Sequence, residues 1–339
     1  MSHRIRIEGG AEYAVADAAD TLLRGALRAG LGFPHECSVG GCGACRYELV
    51  DGRVETLWEQ APGLSERDRK RGKQLACQSR PLSDCTLRVR CEEAYRPPIP
   101  PRRRTVTLAQ RRKLTHDMAL VEFHSAGPAD FLPGQYALFE LPGVAGARAY
   151  SMSNLPNADG HWEFIIRRTP GGSASGQFVD TLAVGAELAM DGPYGNAYYR
   201  AESPRAVVCI AGGSGLAPML AVARAAMANP AASASNDRPL DFFFGGRTAA
   251  DLCAEPLLAE LPGYGDQLRL HSVVSDAADA SWQGARGFVH EELERHIGPA
   301  LDEKEIYFAG PPPMIEAIQQ LLMVRCRVPY AQIHFDRFV

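Results

Sequence analysis

The 339 residues hold no apolar run approaching the ~18 that a bilayer span requires. No apolar stretch follows the opening Met1-Ser2-His3-Arg4-Ile5-Arg6-Ile7 either. The first absence argues against a membrane anchor and the second against a signal peptide, so the expectation is a cytoplasmic protein with no membrane partner. A dominant charge is also missing. Lys and Arg number 36 against 40 Asp and Glu, a net charge of −4, which does not favour nucleic acid as a partner. Internal repeats are absent.

Cysteine is plentiful, with nine in the chain. A chain long enough to build real cores needs no disulfide framework, and these cysteines are not spaced as one. Cys85, Cys91, Cys209, Cys253 and Cys326 sit in apolar contexts and read as small core residues.

The composition along the chain divides it into blocks at 1–95, 96–101, 102–203 and 204–339. In the first block, Ile5/Ile7, Tyr13/Val15, Tyr47–Val50 and Thr86–Cys91 read as strands. Asp20 reads as the N-cap of a helix over Thr21–Leu31, and Ser65–Lys73 as a short charged helix. The stretch Arg96-Pro97-Pro98-Ile99-Pro100-Pro101 reads as an extended spacer, and Arg102–Arg104 as its solvated charge run. Residues 102–203 alternate strand patterns (Val106–Leu108, Ala119–Phe123, Tyr136–Leu141, Arg148–Met152, Trp162–Arg167) with turns. They predict a small antiparallel β-barrel with one helix near Gln177–Leu182. Residues 204–339 alternate buried-strand runs (Ala206–Ile210, Asp241–Phe244, Leu268–Val274, Glu305–Phe308) with helical segments. That pattern predicts a parallel, doubly wound α/β sheet. Asn229–Pro239 reads as a polar loop.

Three motifs carry chemistry. Cys37, Cys42 and Cys45 stand in C-x4-C-x2-C spacing with Cys77 further on, the plant-type [2Fe–2S] arrangement. Gly40, Gly41 and Gly43 let the backbone wrap closely round a cluster. A zinc site is the alternative, but zinc ribbons show two short cysteine pairs and this chain has one. His35 reads as a neighbour of the loop. Second, Arg148-Ala149-Tyr150-Ser151 offers a phosphate partner, an aromatic face and a hydroxyl for a flavin. The glycine and serine stretch around Gly172, Ser173 and Ser175 precedes a helix and suits a pyrophosphate; a flexible turn capped by Ser175 is the alternative. Third, Gly213-Ser214-Gly215-Leu216-Ala217-Pro218 follows a buried strand and opens a helix, where a doubly wound sheet binds phosphate. A second turn, Ala309-Gly310-Pro311, would lie beside it.

Together these motifs resemble the ferredoxin–NADP reductase superfamily, which carries R-x-Y-S for flavin and G-x-G-x-x-P for nicotinamide. With the cysteine loop in front, the whole chain is similar to the reductase components of multicomponent bacterial oxygenases. The Asp51–Asp84 stretch and the tail Ile333–Val339 resemble those of toluene- and phenol-type di-iron monooxygenases. The resemblance implies a β-grasp ferredoxin domain, an FAD barrel and an NAD-binding domain, using FAD, NADH and [2Fe–2S]. It assigns Tyr150 and Ser151 to the flavin ring and Arg148, Gly172, Ser173 and Ser175 to FAD. Gly213, Ser214, Gly215, Arg247, Gly310 and Pro311 go to NADH, and Phe335 and Phe338 pack near the flavin, a C-terminal strand that tucks Phe into the core being compatible with that. Near the ribose, Asp276 disfavours a 2′-phosphate while Arg247 argues mildly the other way, and the resemblance favours NADH. One departure is Ala309, where the family usually has Cys. The implied electron acceptor is a Rieske-type or other ferredoxin, or a di-iron hydroxylase. A Rieske dioxygenase reductase and a non-catalytic iron–sulfur redox sensor are the competing readings.

Overall fold

The computed structural model describes residues 2–229 and 239–338, so most of the expected Asn229–Pro239 loop lies outside the described residues. Three sheets follow one another along the chain. The first part holds β1 (His3–Ile7), β2 (Glu12–Val15), α1 (Leu22–Arg28), β3 (Arg46–Asp51), β4 (Val54–Thr56), α2 (Glu66–Lys70), β5 (Lys73–Leu75), β6 (Ser79–Pro81) and β7 (Cys85–Arg88). Its five-stranded sheet runs β2-β1-β7-β3-β5, and β4 pairs with β6 as a separate ribbon. The N-cap of α1 is Thr21 rather than Asp20: the Thr21 hydroxyl accepts from the Arg24 N–H, while Asp20 is occupied by Arg28. Ser65 caps α2 through a capping box with Asp68.

The second sheet comprises β8 (Arg102–Lys113), β9 (Met118–Ser125), β10 (Tyr136–Glu140), β11 (Arg148–Ser151), β12 (His161–Arg167) and β13 (Glu187–Tyr194), with the short helix α3 (Ser173–Gly176) before β13. The order is β11-β10-β13-β8-β9-β12, and an antiparallel bridge between Met152 and Phe164 brings the two edges together as a barrel. Phe123, Phe139, Phe164 and Phe178 fill it in edge-on contacts. β13 is an additional strand that the sequence patterns do not include. Arg102–Arg104 is also corrected: the triplet opens β8 instead of lying free. Arg103 pairs with Asp17 and Asp20, and the Arg104 guanidinium lies 4.7 Å over the Trp162 ring.

The third part runs β14 (Ala206–Gly212), α4 (Leu216–Ala228), β15 (Leu240–Gly246), α5 (Ala254–Leu258), β16 (Leu268–Val274), β17 (Ala285–Arg286), α6 (Val289–His296), β18 (Lys304–Gly310), α7 (Pro312–Gln319) and β19 (Ile333–Arg337). All pairings are parallel, in the order β17-β16-β15-β14-β18-β19. The winding reverses between β14 and β18, which is where such a sheet opens a ligand crevice.

Two sets of ion pairs fix the parts against one another. Arg28 bridges Asp20 and Asp191 at 2.8 and 2.7 Å and donates to the Pro101 carbonyl, which pins the end of the Pro-rich stretch. Arg24 reaches Glu140 at 3.0 Å, and Tyr136, Leu138 and Tyr194 of the barrel share a core with the first part. On the other side, Arg224 of α4 reaches Glu163 of β12 at 2.6 Å and the Ser153 carbonyl at 2.8 Å. Breaking a buried pair of this kind by removing one partner costs about 3–5 kcal/mol.

Candidate active site

The cysteine loop lies between α1 and β3 and is held from below by β5 and the turn at Cys77. Gly43 has φ +78°, and a Cβ there would meet the Gly63 carbonyl oxygen at 2.3 Å, so only glycine lets residues 40–43 pack on the Ala61–Leu64 turn. None of the nine cysteines is in a disulfide. The four loop thiols associate two and two, Cys37 with Cys42 and Cys45 with Cys77. A hydrogen bond from the Cys42 thiol, together with the N–H groups of Val39, Cys42 and Gly41, pulls the Cys37 thiol down to about 6 against its burial. A single tetrahedral zinc would need all four sulfurs within roughly 3.8 Å of one another. Among the described residues, the only three His, Cys, Asp or Glu ligand atoms gathered within 4.8 Å belong to His116, Asp117 and Asp251. Two thiol pairs with N–H groups aimed at sulfur fit a two-iron cluster and not one zinc. His35 is buried with Nδ1 2.9 Å from the Phe33 carbonyl, which matches its reading as a neighbour.

Facing this loop is a cleft of ≈ 480 Å³. Its walls come from all three parts of the chain: Cys37 and Cys42 from the first, Arg148, Tyr150 and Ser151 from the barrel, and Ser214 and Phe338 from the third. Tyr150 is set by edge-on contacts with Phe139 and Phe178, at 6.0 and 5.0 Å. Ser151 is buried, and its hydroxyl has no protein partner among the described residues. The turn from Thr169 to Ser175 forms another wall. The Ser175 hydroxyl oxygen accepts from the Thr169 N–H at 2.9 Å, and a Cβ at Gly172 would strike that hydroxyl. Gly172, Ser173 and Ser175 thus form a narrow polar cradle beside Arg148. The Arg148 guanidinium is exposed and donates to the Ala145, Gly146 and Ala147 carbonyls. A cleft with an aromatic wall, an unpartnered hydroxyl and a guanidinium at its mouth fits a flavin nucleotide.

The nicotinamide loop sits at the switch point. Gly213 has φ +56° and starts the turn into α4, with Pro218 in the first turn of that helix. A Cβ at Gly215 would lie 2.0 Å from the Ala309 carbonyl oxygen, so Gly213–Gly215 and Ala309–Pro311 pack together as the sequence anticipates. Arg247 is exposed, and its carbonyl accepts from the Asp276 N–H at 2.8 Å, which places the two ribose-side segments next to each other.

The tail divides its two aromatics. β19 pairs with β18, and Phe335 stacks on Phe308 at 5.1 Å, away from the cleft walls, while Phe338 borders the cleft. Among the cleft residues to which the sequence assigns no role are Asp336 and Arg167. Asp336 faces the cleft with Oδ2 sealed from solvent and unpartnered; burial, then Glu36 and Cys37, push its carboxyl up to about 7. Arg167, at the end of β12, pairs with Asp117 at 2.7 Å and brings its guanidinium to 3.1 Å from the Cβ position of Gly213. Its signal was only a second arginine closing a strand.

Known proteins match this arrangement part by part. The 2Fe-2S iron-sulfur cluster binding domain matches residues 5–82, the oxidoreductase FAD-binding domain 105–199 and the oxidoreductase NAD-binding domain 209–320. A ferredoxin–NAD(P)(+) reductase, CarAd, of Metapseudomonas resinovorans is 41% identical over 99% of both chains. The chain belongs to the ferredoxin–NAD(P) reductase family. The ferredoxin–NAD(+) reductase component of the alkene monooxygenase system of Xanthobacter autotrophicus is 41% identical over 94% of this chain and 95% of its own. Among solved structures, the ferredoxin reductase in carbazole 1,9a-dioxygenase superposes with a TM-score of 0.91 at 39% identity. It covers 100% of this chain and 99% of its own. This reductase therefore carries [2Fe–2S], FAD and NAD domains in one chain. Among its described residues no helix is long and apolar enough to cross a membrane.

Proposed function

We propose that the chain oxidises NADH and passes single electrons through Cys37, Cys42, Cys45 and Cys77 to a ferredoxin serving an oxygenase. The observation that carries this reading is the shared cleft, where the flavin motif, Ser214 and two cluster cysteines meet. FAD, when bound there, accepts two electrons together and releases them one at a time. The chain's own residues bind and orient. Arg148, Ser173 and Ser175 hold phosphate oxygens, Tyr150 and Phe338 frame the ring, and Ser151 offers its hydroxyl to the ring edge. Gly213, Ser214, Gly215 and Arg167 hold the dinucleotide's phosphates, with Gly310 and Pro311 lining the nicotinamide side. Phe338, at the cleft's border, narrows the access of water and dioxygen.

A ferredoxin acceptor is supported by the names of two relatives, each called a ferredoxin reductase. Relatives serve both a dioxygenase and monooxygenases. The Asp51–Asp84 stretch and the C-terminal tail favour a toluene- or phenol-type di-iron monooxygenase as the terminal component. Asp276 favours NADH, since a 2′-phosphate beside a carboxylate is repelled. The same reading puts the reductase in the cytoplasm, with its NADH.

An absorption spectrum tests the core of this. Flavin and iron–sulfur bands that both bleach on anaerobic addition of NADH are expected; a colourless protein would overturn it. Reconstitution with a ferredoxin plus either a di-iron hydroxylase or a Rieske oxygenase, followed by NADH-coupled product, decides the terminal partner.

A further inference from the structure

The shared cleft gives electrons a way to the cysteine loop but no way off it. Cys45 and Cys77 are buried, and Cys37 and Cys42 border the cleft where the flavin fits. Another approach to the loop is along the β4–β6 ribbon. β6 starts at Ser79, two residues beyond Cys77, and the Leu57 N–H donates to the Gln78 carbonyl at 2.8 Å. That bond lays Trp58 on the loop: a Cβ on Gly40 would come 3.1 Å from the indole. Even so, Trp58 is 45% exposed. It is the one exposed Trp, Tyr or Phe among described residues 2–95. A crevice lined by Leu57 and Arg80 of the ribbon and by Glu140 and Leu141 of the barrel reaches Cys77, Gln78 and Ser38.

The charges near Trp58 nearly balance. Exposed Arg53 and half-buried Arg80 stand against exposed Glu55 and Glu59, Arg80 lies 3.7 Å from Glu55 across the ribbon, and Arg69 reaches the turn after Trp58 by donating to the Ala61 carbonyl. Leu82 adds a second exposed apolar side chain at the ribbon's other end. A nearly neutral patch that carries an exposed aromatic suits an apolar contact more than an electrostatic one. Exposed aromatics that become buried dominate the energetics of such contacts.

We propose that Trp58 is the docking contact at which a one-electron carrier protein takes electrons from the cluster, the carrier presenting an apolar rim around its own redox centre. This rests on the function proposed above. Each docking event moves one electron from the cluster to the carrier's metal centre, and no bond is made or broken. Oxidation of one NADH to NAD+ supplies two electrons and releases one proton to solvent, so two carrier molecules are reduced.

The test uses the holoenzyme with cytochrome c as the protein probe and ferricyanide as the small one, both anaerobic. Trp58→Ala should lower kcat/KM for cytochrome c about tenfold. It should leave the ferricyanide rate, the cluster's electron paramagnetic resonance spectrum and the NADH bleaching rates unchanged. Trp58→Phe should restore most of the loss. The ratio of Trp58→Ala to unmodified rates should be the same at low and high salt, because an apolar contact is not screened. An undiminished cytochrome c rate in Trp58→Ala overturns the proposal. So does a loss that comes with altered cluster spectra, which would make Trp58 merely structural. Failure of the unmodified chain to reduce cytochrome c at all would instead overturn the proposed function.

Discussion

The Tyr136 hydroxyl of the flavin barrel hydrogen-bonds the Ser38 hydroxyl of the cysteine loop at 2.8 Å, and it also donates to the Glu36 carbonyl. Tyr136 is buried, stacked on Tyr194, and is one of the cleft's walls. A single side chain thus touches both cofactor sites. Replacing it by Phe leaves the Glu36 carbonyl without its donor and the Ser38 hydroxyl without its acceptor, which costs about 1–3 kcal/mol. Tyr136→Phe is expected to keep NADH-driven flavin bleaching and to slow the following cluster bleaching severalfold, as stopped-flow absorbance will show.

Gly215 touches the Ala309 carbonyl so closely that even a methyl group does not fit. Gly215→Ala must push the two nicotinamide loops apart. Overpacking of this kind costs about 1–3 kcal/mol. A lower melting temperature, with the KM for NADH rising more than tenfold, is the expected outcome.

Arg167 reaches from the barrel to the Gly213 loop while its Nε is held by Asp117. Arg167→Ala should raise the KM for NADH about tenfold with little change in kcat, the pattern of a lost binding contact. Steady-state kinetics with ferricyanide measures it without involving a partner protein.

Glu305 on β18 accepts from His334 on β19 at 2.6 Å and from Ser203. Burial raises its pKa, but His334 and Ser203 outweigh it and hold the carboxyl below the ordinary glutamate range. A depressed folded value means the stabilisation is present above the unfolded value and is lost as pH falls through the folded one. Unmodified protein should therefore lose thermal stability below pH 5 more steeply than Glu305→Gln, by differential scanning fluorimetry across pH 3.5–7.

The cluster was legible in the sequence because three of its cysteines and their glycines lie close along the chain in a spacing that wraps two irons, with Cys77 supplying the fourth thiol from further on. The sheet order at the switch point followed from strand–helix alternation. What the sequence hid was contact across parts. Arg102–Arg104 looks like a solvated run until Asp17, Asp20 and the Trp162 ring are brought beside it. Asp336 and Arg167 belong to no motif; only the pairing of β19 with β18 and the end of β12 carry them to the cleft. Phe335 and Phe338 look equivalent in a tail of alternating aromatics, and strand alternation alone does not say which one meets Phe308.

The central claim is the order of electron flow, from NADH through the flavin site to the cluster and out. Anaerobic stopped-flow of Cys42→Ser tests it most directly. NADH should still bleach the flavin at the unmodified rate while reduction of cytochrome c is abolished. Equal loss of flavin bleaching, or cytochrome c reduction that survives, would contradict it.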